Sequence, residues 1–522
     1  MTKPRKNPAA KKGAADKKKR APGARGAAVA AVVQCWSTDP MGGLPPIQVS
    51  APELPGAALP TQIIDPAQAP PPRVYMTGTA EFRFWTAAEA LRRCAAFWRG
   101  VGLAGWNPDI GAALPVRLND GVDLNAYYAR NDFPPQDIKQ GLSFFHDTVR
   151  DAATGQRVTV FSGESPDVVT HELGHAVLDA LKPALWEVAT TEAAAFHEGF
   201  GDMSALLTAL QLPTVRQAIL EETNGRLWRN SSVSRLAEQL GFAIRQRNLA
   251  GVDRDSLRNA SNSFVYIDPT HLPPEGPASS LSRAPHNFSR IFTGAFLEAL
   301  GGMALVLAET PGPDDVLEAS HDMGRLLARA VANAPVRTRF FQAVAEQLVL
   351  ADSSLLNGKY AEPLTNALVR RGLLPIRALS ATSAAEAKTP AKAAAIVARA
   401  AAARAGGVDQ EGEAVAAEPF KLALDGASLG LPVGTVYVNA PAVDDSAAAF
   451  PALGIAAGGP DRSTAVQAFV EGLVLRGRVT MSPRRTGVAP LMEAVSHHRL
   501  THQLVRLDDG FELQRLIFDC GC

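Results

Sequence analysis

Residues 171–175 read His-Glu-Leu-Gly-His, inside a stretch (168–181) whose apolar residues recur at helical spacing. On a helix, residues four apart lie on one face. His171 and His175 therefore project together, at a distance suited to one tetrahedral metal ion. Glu172 sits beside that ion, where it can accept a proton from water. The pattern is short enough to arise by chance, and two solvated histidines on an amphipathic helix are the plain alternative. A catalytic metal needs a third protein ligand and an open position. The next helical stretch, residues 192–210, offers one: Glu198 and Asp202 again share a face. Glu198 can complete a His, His, Glu set. Asp202 can accept the second ring N–H of a ligand histidine and fix its tautomer. Phe196, Phe200 and Met203 surround these acids with apolar bulk, and acids so placed are usually paired.

The order H-E-x-x-H followed by E-x-x-x-D resembles the thermolysin-like gluzincin metallopeptidases. Other blocks resemble that family in the family's order. Asp167-Val168-Val169-Thr170 looks like the entry to its active-site helix. Asn125-Ala126-Tyr127-Tyr128 looks like the edge strand that pairs with substrate backbone. Asp255-Ser256-Leu257-Arg258 resembles the segment whose arginine lies near the zinc and holds a substrate carbonyl. His286-Asn287-Phe288-Ser289 resembles the family's catalytic histidine at the head of a helix. The blocks lie within residues 73–374 and leave both ends uncovered.

The resemblance implies a zinc-dependent endopeptidase acting on a peptide or protein. Zinc would be held by His171, His175 and Glu198, with Asp202 behind them. Glu172 would be the general base toward a zinc-activated water, and His286 would steady the oxyanion. Asn125, Ala126 and Arg258 would hold the substrate. There are departures. The family's oxyanion tyrosine has no match between His175 and Glu198, a connection that contains Trp186; His197 is the substitute on offer. Glu275 is a distant candidate for the acid behind His286. Apolar residues such as Ala209 replace most acidic calcium ligands, so no calcium is expected there. The alternative is a non-catalytic, zinc-containing peptide-binding protein derived from such an enzyme. The intact Glu172 argues against it, since a binding protein needs no base.

With 522 residues the chain exceeds one ordinary domain. Its 46% hydrophobic and 20% charged residues permit a large core. Lys+Arg and Asp+Glu both number 52, so net charge offers no argument for nucleic acid or membrane partners. Residues 1–25 are nearly all Lys, Arg, Ala, Gly and Pro, with Asp16 as their one acid, too polar to bury a core. A basic arm touching nucleic acid or acidic lipid is the functional alternative. The apolar run 27–33 is too short for a bilayer, which takes about 20 residues, and is a poor signal peptide. The expectation is no membrane span, and a cytoplasmic protein or one exported by another route.

Cys35, Cys94, Cys520 and Cys522 make no disulfide framework. Cys520-Gly521-Cys522 could ligate a metal, but without a second half-site a dangling tail is expected. His497-His498 with His502 form another possible metal cluster, inert surface histidines being the simpler reading.

The fold class expected is α+β, a thermolysin-like two-lobed body with a separate β-rich C-terminal domain. Residues 1–72 are read as a basic, Pro-rich disordered or extended arm. Residues 73–185 form a strand-containing lobe with the active-site helix, and 186–375 a helical lobe. An Ala-rich linker, 376–414, leads to the β-rich domain, 415–522. Helices are expected at 85–99, 168–181, 192–210, 288–300, 316–332 and 340–350. Strands are expected at 116–118, 122–128, 158–161, 434–438, 469–479 and 511–518.

Overall fold

A computed structural model describes residues 1–2, 31–56, 59–375, 420–444, 460–481 and 500–520. The Ala-rich linker, His497, His498 and Cys522 lie outside the described residues, as does nearly all of the basic start. What is described mixes helix and sheet, as an α+β chain does.

The chain opens with an antiparallel pair, β1 (Val32–Cys35) and β2 (Ile47–Ser50), then β3 (Thr61–Asp65). Among the described residues before 73, Val33, Cys35 and Asp39 are fully buried. Helix α1 (Ala80–Gly100) starts at Thr79, whose side chain accepts from the Phe82 N–H. Strands β4 (Leu114–Arg117), β5 (Ala126–Ala129) and β6 (Gly141–Phe144) follow, then the hairpin β7 (His146–Arg150) and β8 (Arg157–Phe161). Strand β5 is shorter than expected. Asp123 and Asn125 turn their side chains onto the amides of Leu124 and Ala126, and such local bonds compete with a ladder.

Two buried helices come next. Helix α2 (Pro166–Leu181) has Ser165 as its cap, Pro166 at its first position and Asp167 in its first turn. Helix α3 (Thr191–Ala209) is capped by Thr190, and all of its residues are buried. The two helices approach closely at Gly174, where a Cβ would come within 2.9 Å of the Gly201 Cα. Behind them, the α1 residue Trp98 donates to Ser204 at 3.0 Å and stacks on Phe200.

The helical lobe continues with α4 (Pro213–Thr223), β9 (Arg235–Leu236), α5 (Glu238–Arg245), β10 (Arg258–Asn259), α6 (Pro285–Phe288), α7 (Arg290–Leu307), α8 (Pro313–Asn333), α9 (Phe340–Leu356) and α10 (Ala361–Arg370). Pairing of β9 with β10 fixes where Arg258 emerges. The segment Pro285–Leu307 is long and apolar enough to cross a membrane by composition, but 72% of its apolar window is buried inside the protein, as in a core helix.

The last part contains β11 (Phe420–Asp425), β12 (Thr435–Ala440), α11 (Arg462–Leu475), β13 (Val479–Met481), β14 (His502–Arg506), β15 (Phe511–Arg515) and β16 (Phe518–Asp519). The strand expected over 469–479 is a correction: Phe469 lies in α11, whose cap Asp461 accepts from Thr464 at 2.9 Å. A short apolar run fits either element, and here the cap decides. Strands β11-β12-β15-β14-β13 form one five-stranded sheet. The other five-stranded sheet has the order β16-β5-β6-β4-β3. Its β3, β4 and β6 run parallel, and β5 is antiparallel to both neighbours. The β-rich region is therefore not a separate domain, because its final strand completes the sheet of the first lobe.

Candidate metal centre

Helix α2 brings His171 and His175 to one face, and α3 sets Glu198 and Asp202 opposite them. The imidazole centroids are 4.9 Å apart and nearly perpendicular. His171 Nε2 lies 3.5 Å from Glu198 Oε2, and His175 Nε2 lies 3.9 Å from Glu198 Oε1. Ligand atoms of His171, Glu172 and His175 fall within 4.8 Å of one another, close enough to hold a metal ion. All five residues are at most 3% exposed. Yet His171 Nε2, His175 Nε2, Glu198 Oε2 and both Glu172 oxygens accept or donate no well-aligned hydrogen bond. A buried polar atom left so costs about 1–3 kcal/mol. Several converging on one point are what a cation would repay. Two imidazole nitrogens and a carboxylate oxygen are a donor set that fits zinc.

One of the two histidines has a supporting carboxylate. Asp202 Oδ1 lies 3.0 Å from His171 Nδ1. A proton held on that nitrogen leaves the Nε2 lone pair facing Glu198. Arg258 brackets Asp202 from the far side, with Nη2 to Oδ1 at 3.1 Å and Nε to Oδ1 at 3.3 Å. Its Nη1 is buried without a partner, a donor still available to a carbonyl. Gly201 makes room for the ring: a Cβ there would sit 2.6 Å from His171 Nδ1.

Charge follows from this packing. Burial pushes the Glu172 carboxyl up to about 8. Burial pulls His175 down to about 3, which favours the neutral, ligating imidazole. Burial also opposes charge on His171, but hydrogen bonds to Asp202 and Glu198 outweigh it and raise the group to about 9. Burial would raise Glu198 too, yet the neighbouring imidazoles of His286, His175 and His171 hold it well below the usual carboxylate range.

Around this group lie the remaining expected residues. His286 heads α6, with Nε2 3.0 Å from Glu198 Oε2 and 2.6 Å from the Asp519 carbonyl oxygen. Asn125 and Ala126 stand at the start of β5, and the Ala126 carbonyl accepts the Cys520 N–H at 2.9 Å. Tyr128 and Arg130 both bond Asp179 at the end of α2, and Arg130 lies over Trp186. His197 is fully buried, stacks on Phe518 at 3.8 Å, and has both ring nitrogens unpartnered. Glu275, offered as support for His286, is exposed. His502 is buried at 3%, with Nδ1 2.9 Å from the Thr501 hydroxyl, a packed side chain rather than a surface ligand.

Three residues here were not expected: Phe518, Asp519 and Cys520. The dangling tail is corrected, since Cys520 is 1% exposed. The apolar pattern of 511–518 signals strand, but no local signal says which sheet its end joins. No protein-family model matches the chain, and no curated protein matches it in sequence.

Proposed function

We infer that the chain is a zinc-dependent peptidase of the thermolysin-like kind, with zinc on His171, His175 and Glu198. The observation that carries this reading is the convergence of buried ligand atoms from two helices, His175 Nε2 and both Glu172 oxygens among them without a hydrogen-bond partner, with the second nitrogen of His171 held by Asp202. A stack of solvated surface histidines would have neither property.

The protein's own groups divide the work. Strand β5 holds a substrate backbone as an added strand. The free Nη1 of Arg258 takes a substrate carbonyl. His286 donates to the oxygen that gains charge. Glu172 accepts a proton from the attacking water and passes it to the departing nitrogen. Zinc, when bound, supplies Lewis acidity that makes this water acidic near neutral pH and polarises the carbonyl. A dication beside Glu172 also favours its charged form, which burial alone disfavours.

The test is Glu172→Gln. Zinc content should match the parent by metal analysis, while hydrolysis of a peptide library should fall by at least about 100-fold, the scale of a lost general base. Equal hydrolysis by the variant would end this reading. A parent that binds zinc and peptides but cuts none would instead establish the binding-protein alternative.

A further inference from the structure

The cleft beside the candidate zinc site already contains a peptide, and it is the chain's own. Strand β16 runs antiparallel to β5, with Phe518 opposite Tyr128 and Asp519 opposite Tyr127. This is the geometry in which an extended peptide adds to an exposed sheet edge. One peptide group, joining Asp519 to Cys520, meets the machinery at both ends. Its carbonyl oxygen lies 2.6 Å from His286 Nε2, and its N–H donates to the Ala126 carbonyl at 2.9 Å. Flanking side chains fix this register. The Phe518 ring stacks on His197 and His175, with Arg515 on it at 4.0 Å. Asp519 pairs with Arg478 at 2.7 Å.

We propose that the C-terminal strand is a substrate of this cleft in cis, presented for hydrolysis between Asp519 and Cys520. The proposal rests on the peptidase reading above. A plug need only fill the groove. Here a single peptide group places its carbonyl on the oxyanion donor and its nitrogen on the substrate-binding strand, the two contacts a scissile group requires. In the reaction, water oxygen bonds to the Asp519 carbonyl carbon, and the bond to the Cys520 nitrogen breaks. Glu172 carries one water proton to that nitrogen, and the second follows from the new carboxyl group. The products are a carboxylate at Asp519 and an ammonium at Cys520. No other reactant is needed.

The experiment begins with the full chain purified in chelator. Maleimide labelling with peptide mapping should find Cys520 protected, like the core residue Cys94. Adding zinc should then start loss of the segment that begins at Cys520, read by intact mass, with first-order kinetics unchanged on dilution. Zinc-loaded Glu172→Gln should stay whole. Free labelling of Cys520 in the metal-free chain would overturn the proposal, as would a cut whose rate falls on dilution. A zinc-loaded chain that stays whole while hydrolysing added peptides would also overturn it, and the peptidase reading would stand. Zinc binding with neither self-cleavage nor peptide hydrolysis would sink both.

Discussion

At the scale of single residues, the site depends on a glycine as much as on its ligands. His171 packs against Gly201 so closely that a Cβ there would press on the ring at 2.6 Å. Asp202 lies 3.0 Å from the Nδ1 of that ring, so a ring pushed aside also loses this contact. Gly201→Ala should therefore weaken zinc by about 10–100-fold, the range seen when a ligand's supporting contacts are lost. Competition against a chelating dye measures this. Gly199→Ala is the control, since its Cβ would meet Thr293 Oγ1 at 3.4 Å, an ordinary contact. It should bind zinc like the parent. The proposed ligands His171, His175 and Glu198 and their neighbour Asp202 were legible because helical spacing places residues four apart on one face. Gly201 was not, since its need arises only when α3 lies against α2. Arg258 was legible in part. The chain shows an arginine, but only the fold shows that Asp202 holds one side of it and leaves Nη1 open.

At the scale of elements, α2 is held at its N-terminus by a set of acids from three places. Asp39 comes from the loop after β1, Asp167 from the first turn of α2, and Glu238 from the first turn of α5. Asp39 accepts from Ser165 at 2.6 Å, and Asp167 accepts from the Ala237 N–H at 3.3 Å. Burial raises all three, and Glu238 moves from 4.5 to about 7. A raised carboxyl binds its proton more tightly when folded than when unfolded. Its protonated form thus favours the fold, and that contribution is lost as pH rises from 4.5 to about 7. Glu238→Gln removes this loss. The variant's stability relative to the parent should grow by on the order of 2 kcal/mol across that window, as read from urea midpoints at several pH values. An unchanged difference would mean that Glu238 titrates normally. Helices with long apolar periodicity were legible as elements, α2 and α3 above all. The docking of β1 and its loop was not, because Pro-rich sequence reads the same whether it is free or packed. The segment around Phe469 misled for a related reason: its apolar run suits strand or helix, and the cap at Asp461 settles it.

For the whole molecule, the decisive contacts join distant parts of the chain. Strand β16 completes the sheet of the first lobe, and Leu516 and Ile517 pack with Tyr127 and Phe145 in one buried cluster. Arg515 donates to the Trp186 carbonyl at 2.8 Å, and the Ala189 N–H donates to the Asn439 carbonyl at 2.8 Å. Composition changes along the chain marked a boundary near residue 415, and they are real changes of sequence. They say nothing about which sheet a final strand of two residues will join, because edge pairing is decided by tertiary contact. A protease site introduced between residues 376 and 419 gives a direct test. After cutting, both pieces should elute together in gel filtration and melt in one transition, because β16 extends the first lobe's sheet and Leu516 and Ile517 are buried against Tyr127 and Phe145. Residues 1–375 expressed alone should bind a hydrophobic dye and aggregate, since Tyr127 and Phe145 lose the cover of Leu516 and Ile517. Two particles that separate on cutting, each with its own transition, would show that β16 docks too weakly to hold the cleft.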